Sequence, residues 1–562
     1  MKKTILLLFF ALTNIVGSGV NAQDRSVAES HNYKIIKNLD IFNSIYKSLD
    51  MMFVDTLNSE QVVGNAIKGM LSQMDPYTEY FPNENEYKKG LLGKYAGIGA
   101  TIHYSLPLKT VVVDEPFENS PAANAGLKKG DIIVSIDKEN MEGKAVDYVS
   151  SHLRGEAGTT FLLKIKRDKK ELKLKITRAP IQANPTIPYY GLHGDIGYIN
   201  LSSFVEENCS KEVRRAFMEL KNHGAKKYIL DIRNNGGGLL NEAVDIVNMF
   251  VPKGVNVVST KGKLERANTI YATTVEPIDT ICPIVVLVNK NSASASEIVS
   301  GSLQDLDRAV IVGQRTFGKG LVQRTVELPY GGSLKLTAAK YYIPSGRCIQ
   351  QINYNRSDKG VYEKDDIPDS LTNAYKTKNG REVRDGRGIK PDVELKPDTL
   401  SNLSFYLSQI VDSTDTYFLW VSDYCRTHPT VAQPSEFEVT DEDFNDFRQK
   451  VIDNNFKYDR ISSELLKKLI EAAKAEGYYE ESKDEFKALE NKLNHNLASD
   501  LDKNKEEIKQ MLATDILAYY YYRRGVIEYS LKHDNVYKRG VEILNSPADY
   551  SKILGLKCQG IN

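Results

Sequence analysis

The sequence predicts a multidomain α/β protein with an inserted β-rich module and α-helical regions at both ends. Three observations carry this. Apolar residues recur at helical spacing before about residue 90 and again beyond about residue 399. The stretch from 91 to 179 breaks into short β-branched runs between glycine turns. From Ile196 to Ile343, strand-like and helix-like segments alternate. The length of 562 residues fits roughly four domains of ~150. Hydrophobic residues at 41%, with 38 glycines, are enough for several cores. Lys+Arg and Asp+Glu are both 74, so the net charge is zero, which excludes a basic nucleic-acid coat and a charged disordered chain.

Met1 to Ala22 read as a signal peptide: Lys2 and Lys3, an apolar run from Ile5 to Leu12, and the small-residue exit Val20-Asn21-Ala22 before Gln23. The mature chain is expected to be exported, to the periplasm in a bacterial cell. No later stretch reaches the ~20 apolar residues of a membrane span. The five cysteines (Cys209, Cys282, Cys348, Cys425 and Cys558) lie far apart without a CxxC pair. They specify neither a thiolate metal site nor a disulfide scaffold.

Residues 23–90 form an N-terminal helical domain, with Ile35, Leu39, Phe42, Tyr46 and Leu49 on one face and Asp75-Pro76 ending the helical region. Residues 91–182 form the β-rich module. It contains a strand at Thr110–Asp114, a short helix from Ser120-Pro121 with a serine cap and proline at its first position, a strand from Ile132 to Ile136, a helix near Ala145–Leu153, and strands at Thr160–Arg167 and Glu171–Arg178. Residues 183–398 form the α/β core and its cap. Strands are expected at Gly197–Leu201, Lys227–Ile232, Ile284–Asn289 and Ala309–Val312. Helices are expected near Glu212–Asn222, Leu240–Phe250 and Ser296–Leu306. Residues 399–562 form a C-terminal helical domain. There Tyr519 to Tyr522, beside Arg523 and Arg524, read as helical packing and not as nucleic-acid contacts.

Chemistry concentrates in Val286-Leu287-Val288-Asn289-Lys290-Asn291-Ser292-Ala293-Ser294-Ala295-Ser296-Glu297. A buried strand runs through small residues into a helix, which raises a serine at the strand's end and aims the helix's first N–H groups at it. Residue type leaves Ser292, Ser294 and Ser296 open. A serine needs a base, and none of the eight histidines lies near this element in sequence. Lys319, in Thr316-Phe317-Gly318-Lys319-Gly320, is the candidate. A desolvated lysine can serve as base, as Ser–Lys variants of the triad do. Lys290 reads as a solvated strand-end charge.

"SPAANAGLKKGDIIVSIDKENM" resembles a PDZ domain, which implies capture of a partner's C-terminus on the loop Gly97, Ile98, Gly99 and Ala100. "ILDIRNNGGGLL" with "NSASASEIVSGSLQDLDRAVIVGQRTFGKGLVQ" resembles the C-terminal processing peptidases, or tail-specific proteases, over residues 33 to 395. The resemblance implies a crotonase/Clp-protease-like core. It also implies Ser294 as nucleophile, Lys319 as general base, Gln323 orienting the lysine, Glu297 as an acidic site residue, and an oxyanion hole from Ala295 with Gly238 or Gly237. Gly236 departs from the proline many members carry. No cofactor or metal is implied. The expected partners are protein or peptide substrates with free C-termini, and the C-terminal helices could serve a homodimer or an adaptor contact. The expected activity is serine endopeptidase; the alternative is a PDZ-bearing adaptor on a silent protease fold.

Overall fold

The computed structural model describes residues 22–83, 95–181, 185–351, 368–397, 399–409, 414–459, 461–493 and 496–556. The segment expected to be a signal peptide, apart from Ala22, lies outside them, as do Cys558 and the domain boundaries expected at 90/91 and 182/183. The chain divides into two compact units, Met1–Pro76 and Tyr77–Asn562. The first holds helices Ala22–Met52 and Ser59–Leu71. Asn58 caps the second, its side-chain oxygen accepting the Gln61 amide at 3.0 Å.

The second unit is organised on a six-stranded sheet in the order 189–193, 196–200, 227–231, 284–288, 310–313, 393–394, parallel from the second strand onward. Of its two central strands, Ile284–Val288 is apolar at every position and 227–231 is apolar between its end residues Lys227 and Asp231, as expected where both faces are covered. One face packs on helices Cys209–Asn222, Leu240–Asn248 and Ala295–Asp305 through Leu230, Val286, Val288 and Ile311. The other face, with Tyr198, Ile229, Val285 and Leu287, is covered by the end of the chain through Leu531, Tyr537, Ile543 and Leu544. A Cβ on Gly540 of helix Asn535–Asn545 would lie 3.3–3.5 Å from Val285, Leu287 and Ile229, so this helix sits directly on the sheet. Asp534 caps that helix and holds Arg233 at 2.6 Å, and Arg233 in turn pairs with Asp231 of the sheet. The last helices of the C-terminal region are therefore part of the core's own packing.

A second, antiparallel sheet is built around strand Ser333–Tyr342, flanked by Leu321–Glu327, Asn256–Gly262 and the short strand Glu79–Phe81. The β-rich module has its own sheet, in which Ala100–Ser105 is an edge strand paired with Thr110–Pro116 and flanked by helix Val146–Leu153. This module rests on the C-terminal helices. His103 Nε2 meets Asp415 at 3.3 Å and its ring meets Phe418 edge-on at 4.4 Å. Among the described residues no helix is long and apolar enough to cross a membrane.

Candidate active site

The three serines left open by sequence are separated by their surroundings. Ser292 and Ser296 are fully buried, and their hydroxyls donate to the backbone carbonyls of Ile232 (2.9 Å) and Asn235 (2.8 Å). Ser294, at the head of helix Ala295–Asp305, stays partly exposed. Its backbone, at φ 57° and ψ −113°, lies outside the regions a residue with a Cβ adopts freely, a cost of order 1–3 kcal/mol that the surroundings must hold.

They hold it chiefly through Glu297. This carboxylate is fully buried. One oxygen accepts the amides of Ser294 (2.9 Å) and Lys319 (2.8 Å). The other accepts the Gly318 amide (2.8 Å) and the Thr316 hydroxyl (2.5 Å). The Thr316 oxygen itself accepts the Ile389 amide, so its proton goes to Glu297. Burial pushes the Glu297 carboxyl up to about 7, against the four donors that favour its charge. Tyr341 completes the arrangement: its buried hydroxyl lies 2.6 Å from the Lys319 carbonyl and 3.2 Å from that of Ser294. Burial, and secondarily the nearby Glu297 charge, raise its pKa well above the ordinary tyrosine value, so it remains a donor. The backbones of residue 294, at the head of its helix, and residue 319, in the turn before strand Leu321–Glu327, are thus joined at both their amides and their carbonyls.

The glycine turn is bound to the same segment. Asn235, fully buried, accepts the Ala293 amide on its backbone oxygen (3.0 Å) and the Gly237 amide on its side chain (2.9 Å). Gly237 has φ 97°, and a Cβ there would fall 2.7–2.9 Å from Ala293 O, Ser294 Cβ and the Ala295 amide. Gly238 is tighter still: a Cβ there would fall 2.2–2.5 Å from the backbone of Phe204 and the Val205 amide. The Gly237 amide is therefore committed to Asn235, which leaves Gly238 with Ala295 as the pair to consider for an oxyanion.

Gln323 follows Lys319 on strand Leu321–Glu327, and its side-chain amide donates to Thr337 Oγ1 at 3.3 Å. The Lys319 ammonium nitrogen lies 4.4 Å from the centre of the Tyr77 ring. Lys290 is exposed. In the larger unit the described histidines are engaged elsewhere: His103 with Asp415, His152 with Glu139, His193 with Tyr189, His223 with the Glu219 carbonyl, His428 with the Tyr424 carbonyl, and the His533 ring against Tyr529. Among the described residues no cluster of His, Cys, Asp or Glu is placed to hold a metal ion.

The loop Gly97–Ala100 belongs to the β-rich module. Gly99 has φ 75°, and a Cβ there would come 2.5 Å from Ser120. The carbonyls of Ile98 and Gly99 accept the amides of Ala122 and Phe117, and Ala100 opens the edge strand. Asn235, Thr316, Tyr341 and Tyr77 were not singled out from sequence. The Asn-Asn-Gly-Gly-Gly run could have signalled the first, since a turn this tight needs a local side-chain acceptor.

Residues 195–357 match the model of peptidase family S41, residues 112–167 a PDZ domain, and residues 407–544 the C-terminal helical domain of a PDZ-protease group. The carboxy-terminal-processing protease of Bartonella bacilliformis (strain ATCC 35685 / KC583 / Herrer 020/F12,63) is 34% identical over 62% of this chain and 80% of the relative. The chain belongs to peptidase family S41. A second relative of this S41 protein, named "Probable CtpA-like serine protease", from Staphylococcus aureus (strain MRSA252), is 35% identical over 61% of this chain and 67% of its own length. A solved photosystem II D1 C-terminal processing protease is 28% identical, covering 64% of this chain and 93% of that one, with a TM-score of 0.35. The S41 protein is a protease: a mixed α/β peptidase core carrying a PDZ domain and a C-terminal helical domain.

Proposed function

We propose that this S41 protease is an exported serine endopeptidase that captures the C-terminal ends of unfolded or tagged proteins on its PDZ domain and cleaves them with a Ser294–Lys319 dyad. The observation that carries the reading is the Glu297 carboxylate, which takes the backbone amides of Ser294 and Lys319 on one oxygen. A fold with no use for that pair has no reason to bury a carboxylate there.

In the reaction Ser294 Oγ attacks the scissile carbonyl carbon while its proton passes to the neutral Lys319 amine. The carbonyl oxygen becomes an oxyanion facing the amides of Ala295 and Gly238, each such donor contributing roughly 3 kcal/mol. As the C–N bond breaks, the Lys319 ammonium returns the proton to the leaving amine, leaving an acyl-enzyme. Water then attacks the acyl carbon, giving a proton to Lys319, and as the acyl C–O bond breaks Lys319 passes that proton to Ser294 Oγ, which releases the acid and restores the serine hydroxyl and the neutral amine. Gln323, on the strand that follows, orients the lysine.

Docking of the substrate is supported by the edge strand Ala100–Ser105, whose outer side pairs with no other strand among the described residues and lies next to helix Val146–Leu153, with the Gly97–Ala100 loop at its start. Export is supported by the Met1–Ala22 pattern. The alternative, a binding protein on a silent fold, is disfavoured by the complete set Ser294, Lys319, Gln323 and Glu297.

The test uses one peptide with an apolar C-terminus, offered as free acid and as amide. The wild type should cleave the free acid faster, and Ser294→Ala and Lys319→Ala should each be inactive. Equal turnover by wild type and Ser294→Ala refutes the enzyme, and equal turnover of acid and amide refutes C-terminal capture.

A further inference from the structure

The Tyr77 ring stands against the one amine that the proposed mechanism requires to gain and lose a proton. Tyr77 leads into strand Glu79–Phe81, whose antiparallel pairing places Glu79 opposite Lys335 and Phe81 opposite Ser333. Two contacts fix it there, and a third extends from them. Lys335 Nζ pairs with Glu79 at 2.8 Å, the buried Thr78 hydroxyl accepts the Thr337 amide at 3.3 Å, and the Thr337 hydroxyl accepts the Gln323 side chain. The strand that carries Tyr77 and the strand that carries Gln323 are thus coupled through one threonine. The Lys319 nitrogen lies 4.4 Å from the ring centre, within the range at which an aromatic face attracts a cation.

We propose that Tyr77 is a positioning residue for Lys319, its π-face stabilising the ammonium that forms when the lysine takes the Ser294 proton. This rests on the Ser294–Lys319 reading and deepens it. The lysine's backbone is held by Glu297 and Tyr341, but four side-chain carbons separate that anchor from the reacting nitrogen. A ring over the nitrogen restrains it without offering an acceptor that would compete with the serine hydroxyl. It also favours the charged form, which appears as the attack proceeds. Other lysines lie over aromatic rings in this protein, Lys261 over Tyr342 and Lys474 over Tyr479, but neither belongs to the proposed dyad.

The experiment measures kcat and KM on a free-acid peptide for the full chain at alkaline pH, where Lys319 starts as the neutral amine the mechanism requires. Tyr77→Phe keeps the ring and should stay within about twofold of wild type. Tyr77→Leu should lose about tenfold in kcat with KM nearly unchanged. Phenylalanine analogues with one, three and five ring fluorines, introduced at position 77, progressively remove the electron density of the face while leaving the shape. The logarithm of kcat should fall stepwise along that series. A ring that only fills space would give a flat series, which overturns the inference, as would a Tyr77→Phe loss as large as that of Tyr77→Leu. Lys319→Ala separates the two levels: an active Lys319→Ala removes the dyad and this role together, whereas an inactive one with a flat fluorine series removes the role of Tyr77 alone.

Discussion

Replacing Glu297 by glutamine probes the joint between the two halves of the site. The carboxylate accepts four donors, two on each oxygen. A carboxamide keeps one acceptor and turns the other into an NH2 group. In either orientation two donors then face a donor inside a fully buried pocket. If the amide nitrogen replaces the oxygen shared by Ser294 and Lys319, both backbone amides lose their acceptor. At about 1–3 kcal/mol for each unsatisfied buried donor, the native arrangement loses about 2–6 kcal/mol. The local response is to move the Lys319 turn away from the strained Ser294, and a displacement of ~1 Å at a reacting pair costs on the order of 100-fold in rate. The expected result is therefore a kcat at least 100-fold below wild type on the free-acid peptide, together with a lower Tm and slower labelling of Ser294 by a fluorophosphonate. A Glu297→Gln enzyme with kcat within threefold of wild type would refute the reasoning, since the joint would then carry no catalytic geometry.

Three other outcomes follow from the same contacts. Gly237→Ala places a methyl group 2.7–2.9 Å from Ala293 O, Ser294 Cβ and the Ala295 amide at a positive φ, so it should abolish turnover; normal turnover would contradict the described turn. Ser296→Ala removes a buried hydroxyl bonded to the Asn235 carbonyl and should lower stability by about 1 kcal/mol in denaturant titration while keeping the enzyme active; a dead but stably folded variant would reopen the choice of nucleophile. Glu297 also gives a pH dependence of stability. Its folded-state value of about 7 lies above the ordinary 4.5, so its contribution is full below about pH 4.5 and is lost as pH rises through 7, by about 3 kcal/mol. Between pH 5 and 8 the Tm of the wild type should fall relative to that of Glu297→Gln, and parallel curves would show that this carboxyl does not titrate there.

The strands and helices of the core were legible because their signal is local. Ile284–Val288 is apolar throughout, and the small residues after it can only be a close turn into a helix. The glycine run and the Phe-Gly-Lys-Gly turn were visible for the same reason. The choice among Ser292, Ser294 and Ser296 was not visible bottom-up, because it depends on which hydroxyl finds a carbonyl, and Ile232 and Asn235 lie about 60 residues upstream. Tyr341 and Tyr77 carry no local mark either: each reaches the site only through the pairing of strand Ser333–Tyr342 with its neighbours.

The sequence alone determined the order of domains, the strand-to-helix junction that presents a serine, the absence of a histidine beside it, and the family resemblance. These are matters of residue type and spacing. Tertiary structure decided that Glu297 joins the amides of Ser294 and Lys319, that Tyr341 bridges their carbonyls, and that helix Asn535–Asn545 covers the second face of the core sheet. A strand buried on both faces reads the same whatever covers it. Likewise, a buried carboxylate takes its role from the donors that folding brings around it.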